Sequence, residues 1–176
     1  MLVFMSDLWY NESNGDLTVY ELNRYYGGRA IMNIAFLAHD TKKELITQLC
    51  ISYEQILSEH SLYATAPTAN VISEDTNLQF YRFLSGYAGG DVQIAARVAY
   101  DEIDLVIFFI DHKDPASKDP GVATLLRYCD IHNVPIATNI ASAEVLIHGL
   151  EHGDFGWRDI IKEQNKTDNK HAADDK

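Results

Sequence analysis

The sequence predicts an α/β fold, namely a doubly wound, mainly parallel five-stranded sheet with helices on both faces. Short apolar stretches of strand length alternate along the chain with longer stretches whose apolar residues recur at helical spacing. The stretch at 104–110 (DLVIFFI) is apolar throughout after its first residue, which is typical of a strand buried on both faces. Strands that alternate with helices form parallel sheets covered on both sides.

Five stretches have the length and composition of strands. The first, at 33–37 (NIAFL), is a short apolar run, and the stretch at 78–83 is a weaker candidate. In chain order, the predicted strands are 33–37, 62–65, 78–83, 104–110 and 135–138.

The predicted helices lie between and after these strands. They span 41–59, a stretch that begins at Asp91, 119–132 and 142–150. Residues at helical spacing are Leu45, Leu49, Tyr53 and Ile56 in the first helix, Ile94, Ala95, Val98 and Ala99 in the second, and Val122, Leu125, Leu126 and Cys129 in the third.

Composition and charge exclude several classes of protein. The chain has 176 residues, 47% of them hydrophobic, which suits one globular domain. Its formal net charge of -12 argues against a nucleic-acid binder and against docking on an anionic membrane, since both need a basic face. No apolar run approaches the roughly 20 residues of a spanning helix, and the N-terminus lacks the pattern of a signal peptide. We therefore expect a cytoplasmic protein.

Cysteine and histidine usage predicts no metal centre. Cys50 and Cys129 have no partner motif and lie in helical stretches, so we expect two reduced, buried thiols. The seven histidines are scattered, and neither cysteine has a suitably spaced histidine nearby. We expect no metal and no organic cofactor.

The two ends of the chain differ from its middle. Residues 1–31 are aromatic and polar without a clear period, and we interpret them as an N-terminal extension. This extension is either an artefact of a misassigned start upstream of Met32 or a genuine arm that adds an edge strand or covers a subunit interface. Residues 159–176 are predicted to form a polar, flexible tail, which leaves 32–158 for the α/β domain.

The loops that follow the predicted strands hold the residues with useful chemistry. The carboxyl ends of parallel strands meet at one edge of the sheet, which is where ligands of such sheets bind. Hydroxyls, a lysine and helix starts suit a phosphate, while carboxylates beside it suit proton transfer. Taken singly, Asp40 and Asp91 can also be read as helix caps. The residues at this edge are Asp40, Lys43, Thr65, Thr68, Ser85, Asp91 and Asp111.

Several motifs, in this order, resemble the methylglyoxal synthase family. They are MNIAFLAHDTKK, LYATAPTAN, SGYAGGDVQ, IDLVIFFID, LLRYCDIHNVPIATNIASAE and LIHGLEHGDFGWR, and together they cover most of 32–158. The resemblance implies a doubly wound α/β domain in a cytoplasmic homohexamer. It also implies conversion of dihydroxyacetone phosphate to methylglyoxal and inorganic phosphate, a bypass of glycolysis that uses no cofactor.

The resemblance also implies roles for individual residues. Asp91, from the SGxxGGD motif, would take a proton from the hydroxymethyl carbon of the substrate, and the resulting enediolate would expel phosphate. His39, Asp40 and Asp111 would lie near the enediol oxygens, with Asp40 and Asp111 among the catalytic groups. The residues implied to hold the phosphate are Lys43, Thr65, Thr68, Ser85 and Gly86.

The loop after the second strand departs from the family pattern. Where the family has Ala-Thr-Gly-Thr-Thr-Gly, this chain has ATAPTA at 64–69. Pro67 removes a hydroxyl and a backbone N–H, and losing one donor to a charged group costs about 1.5–3 kcal/mol. If the replaced glycines need positive φ, alanine is strained at 66 and 69.

The loop after the fourth strand departs as well. The family has Asp-Pro-Leu-x-Ala-x-Pro-His-x-Pro-Asp, which places Lys118 on the catalytic histidine and Gly121 on the final aspartate. An ammonium at 118 can stabilise an enediolate oxygen but returns a proton poorly near neutral pH. A different path of this loop would instead bring His112 into the site.

Three functions therefore remain open from the sequence. The first is methylglyoxal synthase, the second is a divergent domain that binds a small phosphorylated ligand without this activity, and the third is a structural or regulatory α/β module. Turnover of dihydroxyacetone phosphate separates the first from the second, and phosphate binding separates the second from the third.

Overall fold

A computed structural model describes residues 31–158 of the chain. The predicted extension at 1–31, apart from Ile31, and the predicted tail at 159–176 lie outside the described residues. The strands are β1 (Asn33–Ala38), β2 (Ser61–Thr65), β3 (Phe80–Phe83), β4 (Leu105–Phe109) and β5 (Ile136–Ala137). The α-helices are α1 (Lys43–Ser52), α2 (Glu54–Leu57), α3 (Ala66–Asp75), α4 (Gly90–Ala99), α5 (Pro120–Ile131) and α6 (Ile140–His152). Short 3₁₀ turns at Asp40–Lys42, Gly86–Ala88 and Pro115–Lys118 follow β1, β3 and β4.

The five strands form one parallel sheet in the order β3-β2-β1-β4-β5. β1 is central, because Phe36 pairs with Ala64 of β2 on one side and with Ile107 of β4 on the other. The chain moves outward from β1 to β3 and then returns to the other side of β1 for β4 and β5. The predicted doubly wound parallel sheet is confirmed.

Helices cover both faces of this sheet, and alternate residues of β1 point to opposite faces. Ile34 and Phe36 pack in a core with residues of α1, α3 and α6. Ala35 and Leu37 pack in a second core with residues of α4 and α5. Cys50 and Cys129 are buried in these two cores as free thiols, and burial raises the pKa of both.

The main error of the sequence prediction lies at 66–75. The stretch that follows β2 was expected to begin as a phosphate loop, whereas the structure has the helix α3 from Ala66 onward. Its sequence, APTANVISED, is polar and contains a proline, yet a proline within the first turn is compatible with a helix because its N–H has no intrahelical partner there. The predicted helix at 41–59 is also divided, since Tyr53 separates α1 from α2.

A buried arginine fastens the end of the described chain to the sheet. Arg158 donates from Nη1 to the backbone carbonyls of His132 and Asn133, both at 2.9 Å, and its Nη2 lies 3.9 Å from Asp104 Oδ1. Asp104 in turn accepts a hydrogen bond from the backbone N–H of Asn33, at the start of β1. These contacts fix the entries to β1 and β4. No helix within residues 31–158 is long and apolar enough to cross a membrane.

Candidate active site

A cavity lies at the carboxyl edge of the sheet, where β1, β2 and β4 end. This is the point at which the strand order reverses, which is the usual ligand site in open α/β sheets. Eight of the residues singled out from the sequence line it, namely His39, Asp40, Lys43, Thr65, Thr68, Ser85, Gly86 and Asp91. The sequence interpretation did not single out as site residues Tyr87, Phe108, Asp114, Ala116 and Asp119, which line it as well.

The side of the cavity near β2 can accept an anion. The side chain of Thr65, the residue before α3, makes no capping hydrogen bond to the helix. Its hydroxyl donates instead to Thr68 Oγ1, at 3.0 Å, and both threonines are buried. The backbone N–H groups of Ala66 and Thr68 therefore remain available at the positive end of a ten-residue helix, next to two hydroxyls.

The alanines of this turn are not strained. Among the described residues other than glycine, positive φ occurs only at Asp101 and Asn133, so the condition for strain at Ala66 and Ala69 is not met. Both residues lie in helical backbone, and the methyl group of Ala69 is fully buried in the core. Alanine also favours a helix over glycine by about 1 kcal/mol. The two replacements therefore stabilise α3, and only Pro67 removes a donor.

Lys43 supplies positive charge to the same cavity. It begins α1, and its Nζ lies 2.6 Å from Asp40 Oδ1 across the preceding 3₁₀ turn. The hydrogen bond from Lys43, followed by the charge of Lys43, holds the pKa of Asp40 below its usual range. An ammonium has three donors, so Lys43 can bind Asp40 and an anion at once.

His39 is held in one orientation by the backbone of the neighbouring strand. Its backbone N–H donates to the carbonyl of Phe109, its ring meets Phe108 edge to face, and its Nδ1 accepts the backbone N–H of Asp111 at 3.0 Å. Because Nδ1 is an acceptor, the neutral ring carries its proton on Nε2. His39 is therefore a hydrogen-bond donor through Nε2.

Asp111 does not line the cavity, in contrast to the prediction. Its Oδ2 accepts the hydroxyl of Thr41 at 2.6 Å, and its Oδ1 accepts the backbone N–H of Lys113 at 2.9 Å. These two hydrogen bonds, that of Thr41 first, hold the pKa of Asp111 below its usual range. Asp111 thus ties the end of β4 to the 3₁₀ turn after β1, and it positions His39 through its backbone.

Asp91 projects from the first turn of α4 and is nearly buried, with 6% of its surface exposed. Gly89 precedes the helix at φ +88, a conformation that favours glycine, and a β-carbon on Gly90 would lie 2.7 Å from the carbonyl carbon of Leu84. The two glycines thus let the chain turn tightly enough to bring Asp91 to the cavity. Asp91 is not the N-cap residue of α4, which is Gly89, but its Oδ1 accepts the backbone N–H of Val92 in the same first turn at 3.0 Å.

The loop after β4 places different residues in the cavity from those predicted. Asp114 and Asp119 line it, and each caps a helical turn, since Asp114 accepts from Ala116 N–H and Asp119 from Gly121 N–H, both at 2.9 Å. Asp followed by Pro, twice in this loop, is the signal that could have identified both caps. Lys118 is exposed and does not line the cavity, and neither does His112.

The two sides of the cavity therefore differ. The helix start near β2 is open to an anion, whereas the turns after β4 are already closed by carboxylates. Within residues 31–158, no three His, Cys, Asp or Glu side chains are grouped to hold a metal ion. Fold and site together define a doubly wound α/β protein that can hold a small anion beside a buried carboxylate.

Comparisons with known proteins identify the family. Residues 46–138 match the model of the MGS-like domain. The chain is 51% identical over 140 residues to the methylglyoxal synthase of Caldicellulosiruptor saccharolyticus, covering 78% of this chain and 99% of that protein. It is 49% identical to that of Oceanobacillus iheyensis, over 78% of this chain and 98% of the relative. The crystal structure of methylglyoxal synthase from Elizabethkingia anophelis NUHP1 superposes with a TM-score of 0.60 at 34% identity, covering 66% of this chain and 77% of that one. The chain belongs to the methylglyoxal synthase family.

Proposed function

We propose that this chain is a lyase that converts dihydroxyacetone phosphate to methylglyoxal and inorganic phosphate. The observation that carries the proposal is the placement of a buried carboxylate, Asp91, in the same cavity as an open helix start with two hydroxyls and a lysine. A phosphate bound at the helix start places the carbons of a three-carbon substrate within reach of Asp91. Relatives at 51% and 49% identity are named methylglyoxal synthase, which supports the same reaction.

The anion-binding side holds the phosphate. Lys43 contributes charge, Thr65, Thr68 and Ser85 contribute hydroxyls, and the backbone of Gly86 contributes an amide at the cavity wall. Hydrogen bonds between such donors and a phosphate are charge-assisted, which makes them shorter and stronger than neutral ones. These hydrogen bonds orient the substrate and stabilise the departing phosphate.

Asp91 is the general base of the reaction. It removes a proton from the hydroxymethyl carbon, and the electron pair of the broken C–H bond forms the enediolate. The hydroxyl of the same carbon then gives up its proton to the departing phosphate and becomes the aldehyde, while the electron pair shifts toward the phosphate-bearing carbon and expels the phosphate by β-elimination. The enolate that remains takes up one proton at its CH2 carbon, which replaces the proton that Asp91 removed, to give methylglyoxal. A positioned general base contributes about 10²–10⁴-fold to such a step.

His39 stabilises the oxygen on which negative charge develops. Its Nε2–H is the donor that the hydrogen bond from Asp111 to Nδ1 leaves available. A donor fixed in place before the reaction stabilises an enediolate without reorganising. Asp40 keeps Lys43 at the cavity and Asp111 keeps His39 oriented, so both act as positioning residues.

The test is turnover by the full chain. Dihydroxyacetone phosphate is supplied, methylglyoxal is trapped as a stable adduct, and phosphate release is followed in parallel. Equal amounts of the two products are expected. Phosphate binding without either product would instead support the second candidate, a phosphorylated-ligand binder without this activity, which the missing N–H of Pro67 favours.

Replacing Pro67 with threonine is expected to tighten substrate binding. The change restores a backbone N–H and a hydroxyl in the first turn of α3, where the open helix start faces the cavity. One donor to a charged group is worth about 1.5–3 kcal/mol, so KM should fall by about tenfold or more. Steady-state kinetics measure this, with Asn70→Thr, an exposed position on the same helix, as the control. An unchanged KM would show that the phosphate does not contact this turn.

Replacing Lys118 with alanine is expected to leave kcat and KM unchanged. The residue is exposed and lies outside the cavity, in contrast to its predicted role in place of the family's histidine. Lys113→Ala, in the same loop, serves as the matched control for loss of one positive charge. A fall in kcat for Lys118→Ala but not for Lys113→Ala would show that Lys118 does act in the site.

We further propose that the protein is a cytoplasmic homohexamer. Large apolar side chains are exposed on the described surface, and burying them in a subunit contact would remove them from water. They include Tyr81, Leu84, Val92 and Tyr100. Sedimentation velocity of the full chain tests this proposal, since a species at monomer mass would contradict it.

A further inference from the structure

Gly121 is in direct contact with the carboxylate of Asp91. It is buried in the first turn of α5, and a β-carbon at this position would lie 2.6 Å from Asp91 Cγ, 3.0 Å from Oδ1 and closer still to Oδ2. The glycine is not needed for backbone conformation, because the described glycines with positive φ are Gly89 and Gly153. What position 121 supplies is space.

We propose that Gly121 is a positioning residue: because it has no side chain, it leaves the space that the carboxylate of Asp91 occupies. The inference rests on the proposed function, in which Asp91 is the base. The inference is specific to this chain, because the family pattern has an aspartate where this chain has Gly121. Here Asp91 occupies the volume into which any side chain at 121 would extend.

Moving α4 and α5 apart to relieve this contact is costly. α4 and α5 share one core, in which Ile94, Ala95 and Val98 pack with Val122, Leu125 and Cys129. Separating them would open a cavity in a close-packed interior, which is costly. The start of α5 is also fixed, since Asp119 accepts the N–H of Gly121. The partner that gives way is therefore the carboxylate of Asp91, which can rotate about its own side-chain bonds at the cost of the hydrogen bond that its Oδ1 accepts from the N–H of Val92.

A side chain at 121 is thus expected to displace the base and preserve the fold. Misplacing a catalytic group by about 1 Å can cost about 100-fold in rate. For Gly121→Ala in the full chain, we expect kcat to fall by about 10- to 100-fold while KM changes little, because the phosphate-binding side is untouched. Ala123→Ser, exposed on the same helix, is the matched control and should retain the kinetics of the unmodified protein.

Two further measurements separate positioning from a general structural effect. With substrate deuterated at the hydroxymethyl carbon, the isotope effect on kcat should rise in Gly121→Ala, because a displaced base makes proton removal rate-limiting. Gly121→Asp, which restores the family's residue, should lower kcat further, since the larger side chain extends into the volume that the carboxylate of Asp91 occupies. Unchanged kcat and isotope effect in Gly121→Ala, or a gain of activity in Gly121→Asp, would overturn the inference.

Crystal structures of the unmodified protein and of Gly121→Ala distinguish failure of the inference from failure of the proposed function. If the unmodified protein forms no methylglyoxal, the proposed function fails, and the structures alone then decide the steric claim. A carboxylate of Asp91 in the same place in both proteins would overturn the inference. A rotated carboxylate over an unchanged backbone would support it.

Discussion

Replacing Asp91 with asparagine is expected to abolish methylglyoxal formation while the protein remains folded. Asparagine has the same shape, so the buried position beside Gly121 is still filled, but its amide cannot accept the proton of the substrate. Since a general base contributes about 10²–10⁴-fold, kcat should fall by at least about a hundredfold. KM should change little, because the phosphate is held by groups on the other side of the cavity.

Three measurements define this result. Trapped methylglyoxal gives the turnover, and the thermal midpoint checks the fold. A rise of the thermal midpoint on adding phosphate checks that the anion site is intact. Asp75→Asn is the matched control, since it removes the same charge from an exposed position at the end of α3. Wild-type turnover by Asp91→Asn would show that another group takes the proton.

Replacing Lys43 with methionine is expected to have the second largest effect. Lys43 is the one lysine among the described residues that line the cavity, and methionine keeps most of its apolar stem while removing the charge. Losing a charge-assisted hydrogen bond costs about 1.5–3 kcal/mol, so kcat/KM should fall by about 10- to 100-fold. The loss should appear mainly in KM if Lys43 holds the phosphate equally in substrate and transition state.

The neighbouring lysine gives this experiment a close control. Lys42→Met removes an identical charge one residue away, from a side chain outside the cavity. Inhibition by inorganic phosphate should weaken in Lys43→Met and persist in Lys42→Met. Equal losses in the two variants would mean that Lys43 acts through the overall field of the protein and not through contact with the phosphate.

Much of the fold could be predicted from the sequence because hydrophobic patterning records burial. β4 is apolar at every position since both of its faces are covered, and its boundaries came within one residue of the prediction. The helix α3 could not be predicted in this way. Its polar sequence and its proline resemble a loop, and only the tertiary structure shows that Ala69 and Ile72 face the core.

The site could be predicted only in part, because position along a strand indicates the edge of the sheet but not the direction of a side chain. Most of the predicted residues do line the cavity, whereas Asp111 turns toward Thr41 and Lys118 is exposed. The contact between Gly121 and Asp91 joins the first turns of two helices that are distant in the chain. No local pattern encodes such a contact.

The attachment of His39 to the centre of the sheet has a consequence for how this protein can change during evolution. The backbone N–H of His39 donates to the carbonyl of Phe109 in β4, and its ring accepts the backbone N–H of Asp111. No side chain between 112 and 118 is therefore needed to orient the ring. Substitutions in that stretch can accumulate without disturbing the ring. The departure of this loop from the family pattern therefore leaves His39 in place at the cavity.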